Sequence, residues 1–187
     1  MLRWMKTHHH HSKVSLVGES AGGNLVTMLA ALLENRDSCL KKFNYLCRNT
    51  YFGNTNHSDN ILHWKFPKIT SVVSWYGILD RKSWVGKGFL SWGLQFTVDC
   101  HRDFNPLPSK LSISERKKLR ECEFLTLVDC CEKGLVKRYP RCLLISGTTD
   151  PLGLLYSSRL ARITLEKHVK ELDLVYSEYN AGHAFIG

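Results

Sequence analysis

Three residues of this chain have types and settings that could do chemistry together: Ser20, Asp150 and His183. A serine hydroxyl is a weak nucleophile until a base removes its proton. An imidazole is an effective base once a third group fixes its tautomer and direction. Ser20 stands in Gly18-Glu19-Ser20-Ala21-Gly22, a G-x-S-x-G pattern. Glycines two residues before and after a serine suit a tight bend from strand to helix, where strained dihedrals and close backbone approach exclude side chains. Such a bend holds the hydroxyl clear of the backbone, and the helix start behind it aims N–H groups at the place where negative charge develops. The chemistry so equipped is nucleophilic attack through a covalent intermediate. With glycine near 7% of residues, the bare pattern arises by chance in under about a tenth of chains this long. A glycine-rich turn with an incidental serine is therefore the competing reading, and the surroundings decide between them.

Those surroundings supply a strand and a helix. Lys13-Val14-Ser15-Leu16-Val17 alternates as a strand does, and Gly23 to Asn35 reads as a buried helix. Three more strands are expected. One is Ile69 to Tyr76, closed by Gly77; the next is Cys142 to Ser146, closed by Gly147; the last is Leu172 to Tyr179. The middle two are near-continuous apolar runs, as central parallel strands buried on both faces should be. Further helical patterns cover about Glu123 to Glu132 and Leu154 to Lys170. Strand and helix alternate, which predicts an α/β fold with a mostly parallel sheet of about four strands and flanking helices.

Two stretches interrupt the alternation. Residues 36–68 are polar and read as a loop insertion. Residues 81–121 carry Trp84, Phe89, Trp92, Phe96 and Phe104, then Asn105-Pro106-Leu107-Pro108. This helical and aromatic excursion either walls a pocket over the carboxyl ends of the strands or simply packs on the sheet. No internal repeat is present.

His183 follows the last strand by a few residues, and Asp150 follows the third in Ser146-Gly147-Thr148-Thr149-Asp150-Pro151-Leu152. Loops at the carboxyl ends of strands are where an α/β sheet places ligands and reacting groups. Asp80 follows the second strand in the same way and is the reserve acid. His168 lies among Lys167 and Lys170 and reads as surface; His57, His63 and His101 fall in the interruptions. His8 to His11 read as a native loop or a short tag. Consecutive histidines cannot all face one ion, so no metal site is assigned.

The order Ser20, Asp150, His183 is that of the α/β hydrolases and not of the chymotrypsin or subtilisin types. Gly18-Glu19-Ser20-Ala21-Gly22-Gly23-Asn24, Asp150-Pro151-Leu152 and Gly182-His183-Ala184-Phe185 together resemble the hormone-sensitive-lipase-like branch of that superfamily, which includes arylacetamide-deacetylase-like esterases. The resemblance implies a carboxylic ester hydrolase acting on a small-molecule ester. Ser20 would be the nucleophile, His183 the base and Asp150 the orienting acid. The N–H of Ala21 would line the oxyanion hole, and no cofactor would be needed. Members of that branch carry a His-Gly-Gly-type loop well before the nucleophile, supplying most of the oxyanion hole. The 19 residues before Ser20 hold no such motif. The expectation is that residues 1–187 form the C-terminal portion of a single α/β-hydrolase domain, with insertions at about 36–68 and 81–121 and impaired activity. A small-ligand-binding member without catalysis, and a peptidase or formamidase of the same fold, are the alternatives. The histidine favours an enzyme.

Composition narrows the partners. The chain has 187 residues, enough for one sizeable core, with 43% apolar residues. Its 26 basic and 17 acidic residues give a net charge of +9. The clusters at Arg116-Lys117-Lys118-Leu119-Arg120 and at Lys133, Lys137, Arg138 and Arg141 read as solvated faces. No nucleic-acid module accompanies them, so nucleic acid is not an expected partner; the charge leaves room for weak attraction to anionic surfaces. No run approaches the ~20 apolar residues of a membrane span, and Met1 to Lys6 leads into no apolar signal core. Seven cysteines without a C-x-x-C pattern read as reduced thiols. The default compartment is the cytosol, with the endoplasmic reticulum as the alternative if an anchor precedes the chain. Cys142 is expected in the core, Cys130-Cys131 receive no role, and Asn56-His57-Ser58 is a sequon that matters only in a secreted chain.

Overall fold

The computed structural model describes residues 12–39, 66–81, 112–114 and 125–183. The apolar runs become four strands: β1 (Lys13–Glu19), β2 (Lys68–Trp75), β3 (Arg141–Gly147) and β4 (Leu174–Tyr179). They pair in the order β1-β2-β3-β4, every neighbour parallel. Three helices follow from the intervening patterns: α1 (Ser20–Glu34), α2 (Leu127–Glu132) and α3 (Leu154–His168).

Parallel crossovers are right-handed, so a sheet that grows steadily from β1 to β4 carries its helices on one face. That face holds the core. α1 packs on β1 and β2, α3 on β3, and α2 touches both other helices. Ala30 and Ala31 let α1 approach Val72, while Ala161 and Leu165 of α3 join Cys142 and Leu144 in the same buried cluster. Each fully buried leucine contributes roughly 1.5–3 kcal/mol.

The other face is less covered than the sequence suggests. Val17, Val73, Leu143 and Val175 stand in register across the four strands. Val17 is 65% exposed and Val175 54%, and Val73 and Leu143 are only half-buried. On this face Ile145 of β3 is buried, so burial of β2 and β3 on both faces is met fully on the helix side and in part on the other.

Element boundaries differ from expectation where tertiary or capping geometry intervenes. α1 starts at Ser20 and not at Gly23, because the chain turns directly from β1 into the helix. α2 starts at Leu127 because Thr126 caps it: the Asp129 N–H donates to Thr126 Oγ1 and the Thr126 N–H to Asp129 Oδ2. Residues 36–39, expected as loop, form a further helical turn. No helix among the described residues is long and apolar enough to cross a membrane. The five aromatics of the excursion, His8 to His11, His57, His63, His101, the sequon and Arg116 to Arg120 lie outside the described residues.

Candidate active site

The turn at Ser20 is sharp and strained. Glu19 is both the last residue of β1 and the cap of α1, and Ser20 follows with φ 49°. A serine in the left-handed region costs on the order of 1–3 kcal/mol and persists only where its surroundings enforce it. Gly18 is part of that enforcement. Any Cβ on it would collide with the carbonyl group of Gly22. Gly22 itself differs from expectation: a Cβ there would meet nothing within 4 Å. Its carbonyl faces Gly18, but its own lack of a side chain is not sterically required. The glycine that α1 does need is Gly23, where a Cβ would stand 2.7 Å from Ser74 Oγ and 2.9 Å from Gly77 Cα.

A second close crossing brings Asp150 and His183 together. β3 ends in Gly147, and a Cβ there would collide with the carbonyl oxygen of Ala181. The loop after β4 therefore passes over the tip of β3. Backbone bonds hold it there: Thr148 N–H donates to Tyr179 O at 2.8 Å and Thr149 N–H to Ala181 O at 3.2 Å. His183 Nδ1 then lies 2.9 Å from Asp150 Oδ2. The other carboxylate oxygen, Oδ1, accepts from the Leu152 N–H at 2.8 Å. The Asp150 side chain has no exposed surface, whereas that of His183 is 23% exposed. With a carboxylate as its acceptor, Nδ1 carries the proton and Nε2 is the basic nitrogen. Asp80, the reserve acid, is buried beyond β2, where its N–H donates to Ser157 Oγ at 2.7 Å. The carboxylate bonded to His183 is Asp150.

Ser20, Asp150 and His183 follow β1, β3 and β4, so all three sit at the carboxyl edge of the sheet. Two neighbours escaped the sequence reading. Tyr76, the first residue after β2, has φ 37° and is 1% exposed. Its Oη donates to Glu19 Oε2 at 2.5 Å. Its ring meets the imidazole of His183 edge-on, centroids 4.6 Å apart. Burial, then the Glu19 carboxylate, pushes the Tyr76 hydroxyl up to about 12, so it stays a donor at neutral pH. In the sequence Tyr76 is simply the last apolar residue of a strand; no local signal marks it.

The described cysteines, Cys39, Cys130, Cys131 and Cys142, are all buried as free thiols. Burial pushes the thiols of Cys130, Cys131 and Cys142 up to about 12, which leaves them protonated and unreactive. At the opposite, amino edge of the sheet lies a groove of about 730 Å³, lined by Lys68, Lys137, Arg138 and Lys170 among others. Glu19, Ser20, Tyr76, Asp150 and His183 do not border it.

No protein-family model and no curated protein sequence matches the chain. Solved structures do. Esterase B from Lactobacillus rhamnosis aligns with a TM-score of 0.58 at 14% identity, over 98% of this chain and 50% of that one. Carboxylesterase Cest-2923 from Lactobacillus plantarum gives 0.54 at 13% identity, over 98% and 52%. Carboxyl esterase 2 from Tuber melanosporum gives 0.51 at 15% identity, over 98% and 51%. The fold is a partial α/β-hydrolase fold. The chain spans about half the length of these structures. At such identities the likeness shows the α/β-hydrolase architecture and nothing finer.

Proposed function

We propose that the chain carries the reacting residues of a serine carboxylic ester hydrolase of the hormone-sensitive-lipase-like branch. The observation that carries this reading is the Asp150–His183 bond, made at the same sheet edge as the strained Ser20 turn. His183 Nε2 takes the hydroxyl proton of Ser20 as Ser20 Oγ attacks the carbonyl carbon of a small ester. Asp150 holds the imidazole in the right tautomer and stabilises the imidazolium that forms. The Ala21 N–H, in the first turn of α1, donates to the developing oxyanion. His183 then protonates the leaving alcohol, and water releases the acid from Ser20 by the same steps reversed.

Ala21 is the only oxyanion donor assigned. Loss of such a donor typically costs about 10²–10³ in turnover. The test is a labelled fluorophosphonate together with a short-chain p-nitrophenyl ester. Wild-type chain should label and Ser20→Ala should not. Labelling that survives Ser20→Ala, or a folded wild-type chain that never labels, would overturn the reading in favour of ligand binding without catalysis.

A further inference from the structure

Ser20 and Tyr76 are the only non-glycine residues with positive φ among the described residues. They also leave the sheet side by side. Glu19 and Trp75 pair in register, and Ser20 and Tyr76 are the next residue on each strand. Strain of this kind survives where surrounding contacts over-determine it, and it gathers at working sites. The contacts of Tyr76 show what its strain holds in place.

We propose that Tyr76 is a positioning residue that fixes the plane of the His183 imidazole and ties it to the Ser20 turn. Its ring packs on the imidazole and its hydroxyl is bonded to Glu19. The inference rests on the proposed roles of Ser20 and His183.

One hydrogen bond to Asp150 sets the direction in which Nδ1 points. It leaves the ring free to swivel about that line, and swivelling would move Nε2 away from a hydroxyl. The Tyr76 ring, 4.6 Å away with the two planes at 61°, occupies the space into which the imidazole would turn. Tyr76 can serve as a stop because it is itself held at both ends. Its N–H donates to Ile145 O of β3 at 2.7 Å, and its hydroxyl donates to the carboxylate of Glu19. Bonds to an ionised acceptor are among the stronger hydrogen bonds. Glu19 shares a peptide unit with Ser20, so a shift of the nucleophile turn carries Tyr76 with it. The carboxylate thus supplies an axis, the phenol ring supplies a plane, and Glu19 supplies the common reference with the serine.

The experiment uses the whole chain and four variants: Tyr76→Phe, Glu19→Ala, the double variant, and Glu19→Gln, whose amide oxygen can still accept from Tyr76. Two measurements are made. One is the proton NMR resonance of His183 Nδ1–H, assigned by its loss in His183→Gln. The other is the rate at which fluorophosphonate labels Ser20. Tyr76→Phe and Glu19→Ala should each displace the resonance and slow labelling by about 10- to 100-fold, the scale of a small misplacement of reacting groups. The double variant should be no slower than either single one, as for two halves of one contact. Glu19→Gln should stay close to wild type. A His183 resonance unmoved in both single variants overturns the proposal. So do additive effects in the double variant. Failure of wild type to label would sink the esterase reading instead, and the resonance would still decide the role of Tyr76.

Discussion

Asn35 and Asp150 are both buried polar side chains, at opposite edges of one sheet, and they spend their hydrogen bonds differently. Asn35 Nδ2 donates to Ala31 O at 2.9 Å and Arg138 O at 2.8 Å, while Oδ1 accepts from the N–H groups of Lys137 and Arg138. Every partner is backbone. The amide stitches the end of α1 to the segment leading into β3. Asp150 gives one oxygen to the Leu152 N–H and the other to an imidazole. The first arrangement is closed: nothing in it can accept or release a proton near neutral pH. The second ends on a titratable ring at the same sheet edge as the strained Ser20 turn. The basic groove lies at the closed edge, and the bonded Asp150–His183 pair at the other.

The comparison can be broken at each side. Asp150→Asn should leave the fold intact and cut Ser20 labelling and ester turnover by about 10⁴-fold, through the wrong tautomer of His183. A loss of only a few-fold would put Asp150 in the same class as Asn35. Asn35→Ala should do the opposite. Stranding buried backbone groups should cost about 2–4 kcal/mol in urea unfolding, with labelling per folded molecule unchanged. Gly22→Ala should stabilise the chain by about 0.5–1 kcal/mol, because the site is open and lies inside a helix. The smallest effect concerns a half-buried cluster that resembles neither edge. Arg159, then the Tyr176 hydroxyl, holds the Glu178 carboxyl down from its usual 4.5 to about 2. Its folded-state pKa is depressed, so its stabilisation is complete above pH 4.5 and is lost as the pH falls toward 2. The gap in Tm between wild type and Glu178→Gln should therefore be small at pH 7 and close over that window.

Much of this was legible in the letters. Val14, Leu16, Val72, Leu144 and their neighbours gave strand periods that need no tertiary context, and all four strands lie within two residues of where those periods place them. Asp150 and His183 could be paired on paper because both follow strands of a parallel sheet. Tyr76 and Glu19 could not. Their contact depends on β1 and β2 being neighbours and on a backbone angle that tyrosine does not favour alone. Gly22 misled for the converse reason: its motif partner Gly18 is enclosed, and the pattern treats the two alike. The outer faces of β2 and β3 follow the expectation in part, with Ile145 buried and Val73 and Leu143 half-buried, because an apolar run reports hydrophobicity and not what covers it.

Gly147 has a consequence for variation. Because the return loop rests on bare main chain at the tip of β3, the spacing between carboxylate and imidazole is written in peptide geometry. Thr148 and Thr149, both exposed, contribute N–H groups to that geometry. Their side chains can drift in identity without disturbing it, whereas exchanging one hydrogen at position 147 for a methyl group would push His183 away from Asp150.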